Sequence, residues 1–261
     1  MKNLYTFLLL VCTLFIYSCE QDGLAAEAAN DTGVGGSYAR FIVVGDFMYI
    51  VDDSSIKTFD LVDPTTPIEI DNQAIGERIE SIFHFDSRLF IGSGAGLFIY
   101  QIEEDGRPSQ LSATPYFEAW DLFSCDPVVA NDSLAFVTLN AISRVNRCGG
   151  SFEIETNLLK IFDIKDLSQP ELIVEYEMTA PKGVGLDGET LFICDDTDGL
   201  KIFDVSDPLN IQLIKHFDHF TAFDVIPLDG LLLVVGPDNV YQFDYSNLED
   251  IVQIALIPYG S

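Results

Sequence analysis

The chain has 261 residues and carries 42 Asp and Glu against 13 Lys and Arg, a formal net charge of −29. A surface of that sign repels nucleic acid and anionic headgroups, so neither is expected as a charge-driven partner. Twenty Phe and ten Tyr without a long amphipathic helical stretch favour sheet.

Lys2 opens the chain, Leu4 to Tyr17 form an apolar run, and Ser18-Cys19 set a small residue before a cysteine. The run is short for a membrane span and reads as a secretory signal peptide over residues 1–19. A cysteine at the cleavage point resembles a bacterial lipoprotein signal, with Ile16-Tyr17 departing from the usual residues. That resemblance implies lipid on Cys19, membrane attachment through it, and an outer-membrane lipoprotein of a Gram-negative bacterium. Glu20-Gln21-Asp22 resemble signals that carry such proteins to the cell surface. Residues 20–36 are Ala, Gly, Asp and Glu with little to bury, a flexible acidic tether. The folded domain is expected over 37–261.

A Phe-Asp pair recurs at Phe59-Asp60, Phe162-Asp163, Phe203-Asp204 and Phe243-Asp244, with a degenerate copy at Tyr100-Gln101. The second members follow one another at 41, 62, 41 and 40 residues, one period near 41 with a single insertion. The first repeat shows the plan. Ala39 to Val44 and Phe47 to Val51 read as strands around the Gly45-Asp46 turn. Ile56 to Leu61 is a third strand, and Ile68 to Ile70 begins a fourth after Asp63-Pro64-Thr65-Thr66-Pro67. Four short strands per repeat and five repeats of roughly 40 residues predict an all-β fold, a five-bladed β-propeller. Closure of the ring requires the strand near Ile254 to Pro258 to pack back on the first blade. The acids at Asp63, Glu104, Asp166 and Asp207, with Asn247, fall at the turn before the fourth strand. They read as turn-formers that accept backbone N–H groups. Phe59 and its equivalents are expected between neighbouring blades.

Leu200-Lys201-Ile202-Phe203-Asp204-Val205-Ser206-Asp207-Pro208 resembles the LVIVD repeat, and Leu159 to Asp166 matches nearly as well. The resemblance runs over 38–260, weakest at Tyr100-Gln101-Ile102 and Asn247-Leu248. It implies an extracytoplasmic β-propeller and no particular reaction.

The insertion lies within Asn140 to Asn157, between the second and third strands of repeat three, and about five further residues precede its second strand. Cys12 leaves with the signal and Cys19 carries lipid, so Cys125, Cys148 and Cys194 remain. Cys125 starts repeat three and Cys148 sits in the insertion, on the same edge of the blade. Related lipoproteins carry a similar Cys-Asp-Pro and Cys-Gly-Gly pair, so a Cys125–Cys148 disulfide is expected, worth about 3 kcal/mol on the chain-entropy argument. Cys194, within an apolar strand, is expected to be an inert thiol.

The face bearing that loop gathers Arg40, Asp126, Lys182 and Asp224 near the central mouth as the candidate ligand-binding face. Ser81 joins them, with Asp52, Asp53, Asp195, Asp196, Asp198 and Asp238 further out. Asp195-Asp196-Thr197-Asp198-Gly199 lacks the remaining oxygen ligands of a calcium loop and reads as a hairpin turn. His216 and His219, three apart, face opposite ways, and His84 stands alone. No nucleophile elbow or phosphate loop is present, and Gly92 to Gly96 is a hairpin. No catalytic residue, metal site or cofactor is assigned, calcium being the alternative cofactor. The expected function is a non-enzymatic binding or scaffolding module of the bacterial envelope, with an envelope protein or glycan as partner. The rival is a hydrolase or lactonase with a central cation held by Asp126 and Asp224.

Overall fold

A computed structural model describes residues 36–76, 78–116, 122–125, 127–147 and 150–260. For 122–125, 142–147 and 150–154 the backbone alone is described. Cys19, Asp126 and Cys148 lie outside the described residues, and with them the lipidation and the expected disulfide.

The strands fall into five antiparallel meanders in chain order. Blade 1 is β1 (Phe41–Val44), β2 (Phe47–Val51), β3 (Ser55–Asp60) and β4 (Ile68–Ala74). Blade 2 is β5 (Ile79–Phe85), β6 (Arg88–Ser93), β7 (Gly96–Ile102) and β8 (Pro108–Pro115). Blade 3 consists of β9 (Leu122–Cys125), β10 (Val128–Ala130), β11 (Leu134–Arg147), β12 (Gly150–Asp163) and β13 (Glu171–Glu177). Blade 4 is β14 (Val184–Asp187), β15 (Thr190–Cys194), β16 (Leu200–Asp204) and β17 (Gln212–Phe217). Blade 5 is β18 (Asp224–Leu228), β19 (Leu231–Val235), β20 (Asn239–Asp244) and β21 (Val252–Pro258). The protein is an all-β, five-bladed β-propeller. The insertion is a longer hairpin: β11 and β12 stay in register out to Arg147 opposite Gly150. The few residues ahead of β10 form β9, which pairs Cys125 with Asn140 on that extension.

Each Phe-Asp marker coincides with a β-bulge. The register against the outer strand slips at Thr58/Phe59, Ile99/Tyr100, Ile161/Phe162, Ile202/Phe203 and Gln242/Phe243. The unpaired residue on the outer strand is in each case aliphatic: Ile70, Leu111, Ile173, Ile214 or Ile254. A bulge adds twist, and the recurring twist is what splays each four-stranded sheet into a blade. The turn that follows is held by acids as expected. Asp63, Asp166, Asp207 and Asn247 accept from the backbone N–H of Thr65, Ser168, Leu209 and Glu249. In blade 2 the acceptor is Asp105, one residue after Glu104, and it takes the Arg107 N–H.

Four apolar layers join the blades, each from one face of a blade and the opposite face of the next. Tyr49, Val51 and Ile56 meet Leu89, Ile91 and Tyr100, and Phe90, Leu97 and Ile99 meet Ala135, Val137 and Phe162. Phe136, Leu159 and Ile161 meet Leu191, Ile193 and Phe203, while Phe192, Cys194, Leu200 and Ile202 meet Leu232, Val234 and Phe243. Cys194 is a buried free thiol, and burial pushes its pKa well up.

The fifth junction differs. The blade 5 residues that continue the series, Leu233, Val235, Val240 and Gln242, are all partly exposed. So are their expected counterparts on blade 1, Met48, Ile50 and Phe59, while Phe41 is 61% exposed. The last strand does not close the ring as expected: Ile254 is 55% and Leu256 51% exposed. Blades 5 and 1 are linked near the axis instead, through Ser37.

Candidate functional site

The five innermost strands enclose an axial cavity of about 250 Å³. Its wall is chiefly apolar, with Ile42 from β1, Phe83 from β5, Val129 from β10, Val184 from β14 and Val225 from β18. Inner strands read as apolar runs because both faces of a blade and the axis are covered. His84 on β5 also lines the cavity. Burial pushes its imidazole pKa down, against the opposing pull of a hydrogen bond to the Asp86 backbone and the Asp86 charge, so the ring is neutral at pH 7.

At the upper mouth, where the inner strands begin, Ser37 is 4% exposed and bridges two blades. Its hydroxyl donates to Asp224 Oδ1 at 2.9 Å and accepts from the Val184 N–H at 2.8 Å. The Ser37 N–H reaches the same carboxylate oxygen at 3.2 Å, and the Val225 N–H at 2.9 Å. Burial raises the Asp224 pKa, and these donors only partly offset it. The carboxylate explains two glycines. A Cβ on Gly36 would run into Asp224 Oδ2, and one on Gly183 would stand 2.5 Å from Oδ1.

The charged residues expected to form a ligand-binding face tie blades together. Arg40 donates to the Ile79 carbonyl at 2.6 Å, joining blade 1 to blade 2. The Lys182 ammonium lies 3.3 Å from Asp196 and 4.3 Å above the Phe223 ring, joining blade 4 to the start of blade 5. Asp224 is engaged by Ser37. These three surround the mouth without converging on one point, and Asp126 lies outside the described residues.

Further out, the Asp195–Gly199 segment is the hairpin turn expected, with the Asp198 and Gly199 N–H groups closing on Asp195 and Asp196 carbonyls. Asp195 is fully buried and accepts from the Thr179 N–H at 3.1 Å and the Ala180 N–H at 2.6 Å. The cation these acids face is Lys201, which contacts Asp195 Oδ2 and lies 2.6 Å from Asp198 Oδ2. Burial alone would lower the Lys201 pKa, but the two carboxylates reverse it and hold it above the ordinary value. Hydrogen bonding from Lys201 holds Asp198 below the usual range. The lysine recurs at the same position in blades 1 and 3, whereas blades 2 and 5 have Phe98 and Tyr241 there. Lys57 pairs with Asp52 at 3.1 Å, and Lys160 with Glu175 at 2.7 Å. His216 touches the Asp198 carbonyl, whereas His219 packs on Phe217 and Phe220, so the two histidines do not meet. Ser37 escaped sequence reasoning because its partners lie 147 and 187 residues away.

The LVIVD repeat description matches residues 35–73 and 182–219, which are blades 1 and 4. No curated protein matches the sequence. Among solved structures, the periplasmic gluconolactonase of Pseudomonas aeruginosa superposes with a TM-score of 0.60 at 13% identity, covering 83% of this chain and 68% of its own. A protein from Lactobacillus plantarum gives 0.59 at 13% identity, covering 82% of this chain and 68% of its own. At such identity the likeness is one of fold.

Proposed function

We propose that this chain, which carries LVIVD repeats on a five-bladed β-propeller, is a non-enzymatic binding module of the bacterial envelope. It is tethered through lipid on Cys19 and takes an uncharged, mainly apolar ligand group on its axis. One observation carries this reading: the axial cavity is chiefly apolar, while Arg40, Lys182 and Asp224 at its mouth are already engaged by neighbouring protein groups. An apolar pocket with few polar groups binds by shape and desolvation, and an acid–base pair would need titratable groups aimed at one substrate atom. A cavity of 150 Å³ holds benzene, so about 250 Å³ admits a two-ring molecule.

The test uses the compact unit Thr32–Ser261 and the fluorescent probe 2-naphthol. Saturable one-to-one binding is expected, and it should vanish when Val184→Phe fills the cavity. Binding that never saturates, or that Val184→Phe leaves intact, would refute the axial site. Elemental analysis and melting with and without EDTA address the hydrolase rival. A tightly held divalent ion whose removal lowers the melting temperature sharply would transfer the protein to that reading.

A further inference from the structure

The segment that links blades 5 and 1 also roofs the axial cavity. Gly36, Ser37 and Ala39 line it together with Ile82, Val184 and Val225 of the inner strands. The segment is one tight turn, closed by the Ala39 N–H on the Gly36 carbonyl at 2.9 Å. Its bonds reach round the axis. The Ser37 hydroxyl meets Asp224 of β18 and the Val184 N–H of β14, while the Ala39 carbonyl accepts from the Ile82 N–H of β5 at 3.0 Å. A buried serine that borders the cavity and spans three blades is a plug in the upper mouth.

The two ends of the turn are held unequally. From Ala39 onward the chain belongs to blades 1 and 2. The Arg40 carbonyl accepts from the Val51 N–H at 2.8 Å, and its guanidinium donates to the Ile79 carbonyl. The other end is held chiefly by the bonds of Ser37 to Asp224 and Val184. Four junctions are locked by apolar layers, and the described residues form no such layer beside this one. Hydrogen bonds traded for water cost little in net terms, whereas parting an apolar layer exposes its surface in full. A segment held by the first kind opens locally, well before the domain unfolds.

We propose that Gly36–Tyr38 is a strap that swings about Ala39 and gates the upper end of the axial cavity, an inference that rests on the axial site proposed above. With the strap down, Ser37 closes the mouth. With it up, Asp224 and the Val184 N–H take water and the mouth stands open. A ligand under the strap then enters and leaves at the rate the strap permits. Gly36 suits this role, because a Cβ there would run into Asp224 Oδ2 and hold the strap off its seat.

The experiment combines native-state amide exchange with stopped-flow binding of 2-naphthol, both on Thr32–Ser261. The Ser37 and Val184 amides should exchange through a local opening that low urea does not promote. The Ile82 and Cys194 amides, at the hinge and in the core, should follow global unfolding. Ser37→Ala deletes two bonds and should raise both association and dissociation rates on the order of tenfold. Gly36→Ala keeps the hydroxyl, sets a methyl against the carboxylate, and should also raise both rates. Tyr245→Phe loses a bond to Asp187 at the lower edge of blades 4 and 5 and should change neither. Ser37 and Val184 amides that exchange only with global unfolding would overturn the proposal. So would rates that neither strap variant raises, or that Tyr245→Phe raises equally. If 2-naphthol does not bind at all, the axial site fails, and the exchange pattern still decides whether the strap opens.

Discussion

The same aromatic position tests how the ring is joined. Phe243 and Phe59 are equivalent residues, each on a third strand just past the point where the fourth strand bulges. Phe243 is fully buried against blade 4, with ring centroids 4.8 Å from Phe217 and 5.9 Å from Phe220. Phe59 sits on the blade 1 face that no blade seals. Truncating Phe243 to Ala removes on the order of 150 Å² of apolar contact, close to 4 kcal/mol at about 25 cal/mol per Å², and leaves a cavity. Phe59→Ala removes less buried area and opens no enclosed cavity, so about 2 kcal/mol or less is expected. Urea unfolding of Thr32–Ser261 at low protein concentration and low salt reads both, provided the slope is unchanged. The gap of about 2 kcal/mol corresponds to roughly 4–8 °C in melting temperature for a domain of this size. If Phe243→Ala leaves no folded protein, Phe243→Leu against Phe59→Leu should keep the order on a smaller scale. Equal costs would mean that blade 5 packs on blade 1 in solution, and the unsealed junction would be wrong.

Ser37→Ala deletes the hydroxyl shared by Asp224 and the buried Val184 N–H and should cost about 1–3 kcal/mol by urea midpoint, with no loss pointing to water as a substitute. Lys201→Met strands the buried Asp195 carboxylate and should cost about 3–5 kcal/mol. An unchanged melting temperature would show that the ion pair is not needed. Acid should act on the turns. Asp63, Asp163, Asp166, Asp204 and Asp244 are held below the usual carboxylate range, mainly by side-chain hydrogen bonds. Their stabilisation is therefore complete above the unfolded value near 3.9 and is lost as pH falls through the folded values. Asp224, with a raised pKa, contributes with the opposite sign above that point. Urea midpoints in 0.5 M salt should fall steadily below about pH 4, and a flat profile from pH 4.5 to 2.5 would contradict the turn assignment.

The sequence by itself determined the blades. A repeat of Phe-Asp, a turn acid and proline needs only neighbours in the chain: alternation sets the strands, and Asx turns and bulges set the blade. The reading of Asp195–Gly199 as a turn was legible for the same reason. The tertiary structure decided everything that depends on pairs far apart in sequence. No local pattern foretells that Ser37 meets Asp224, that Arg40 and Lys182 serve as ties between blades, or that Lys201 is the cation for Asp195. Nor does periodicity report closure. Blade 5 has the same kind of apolar face as the others, and whether another blade lies against it depends on the angle accumulated over four junctions. That angle is set by side-chain volume and twist in three dimensions.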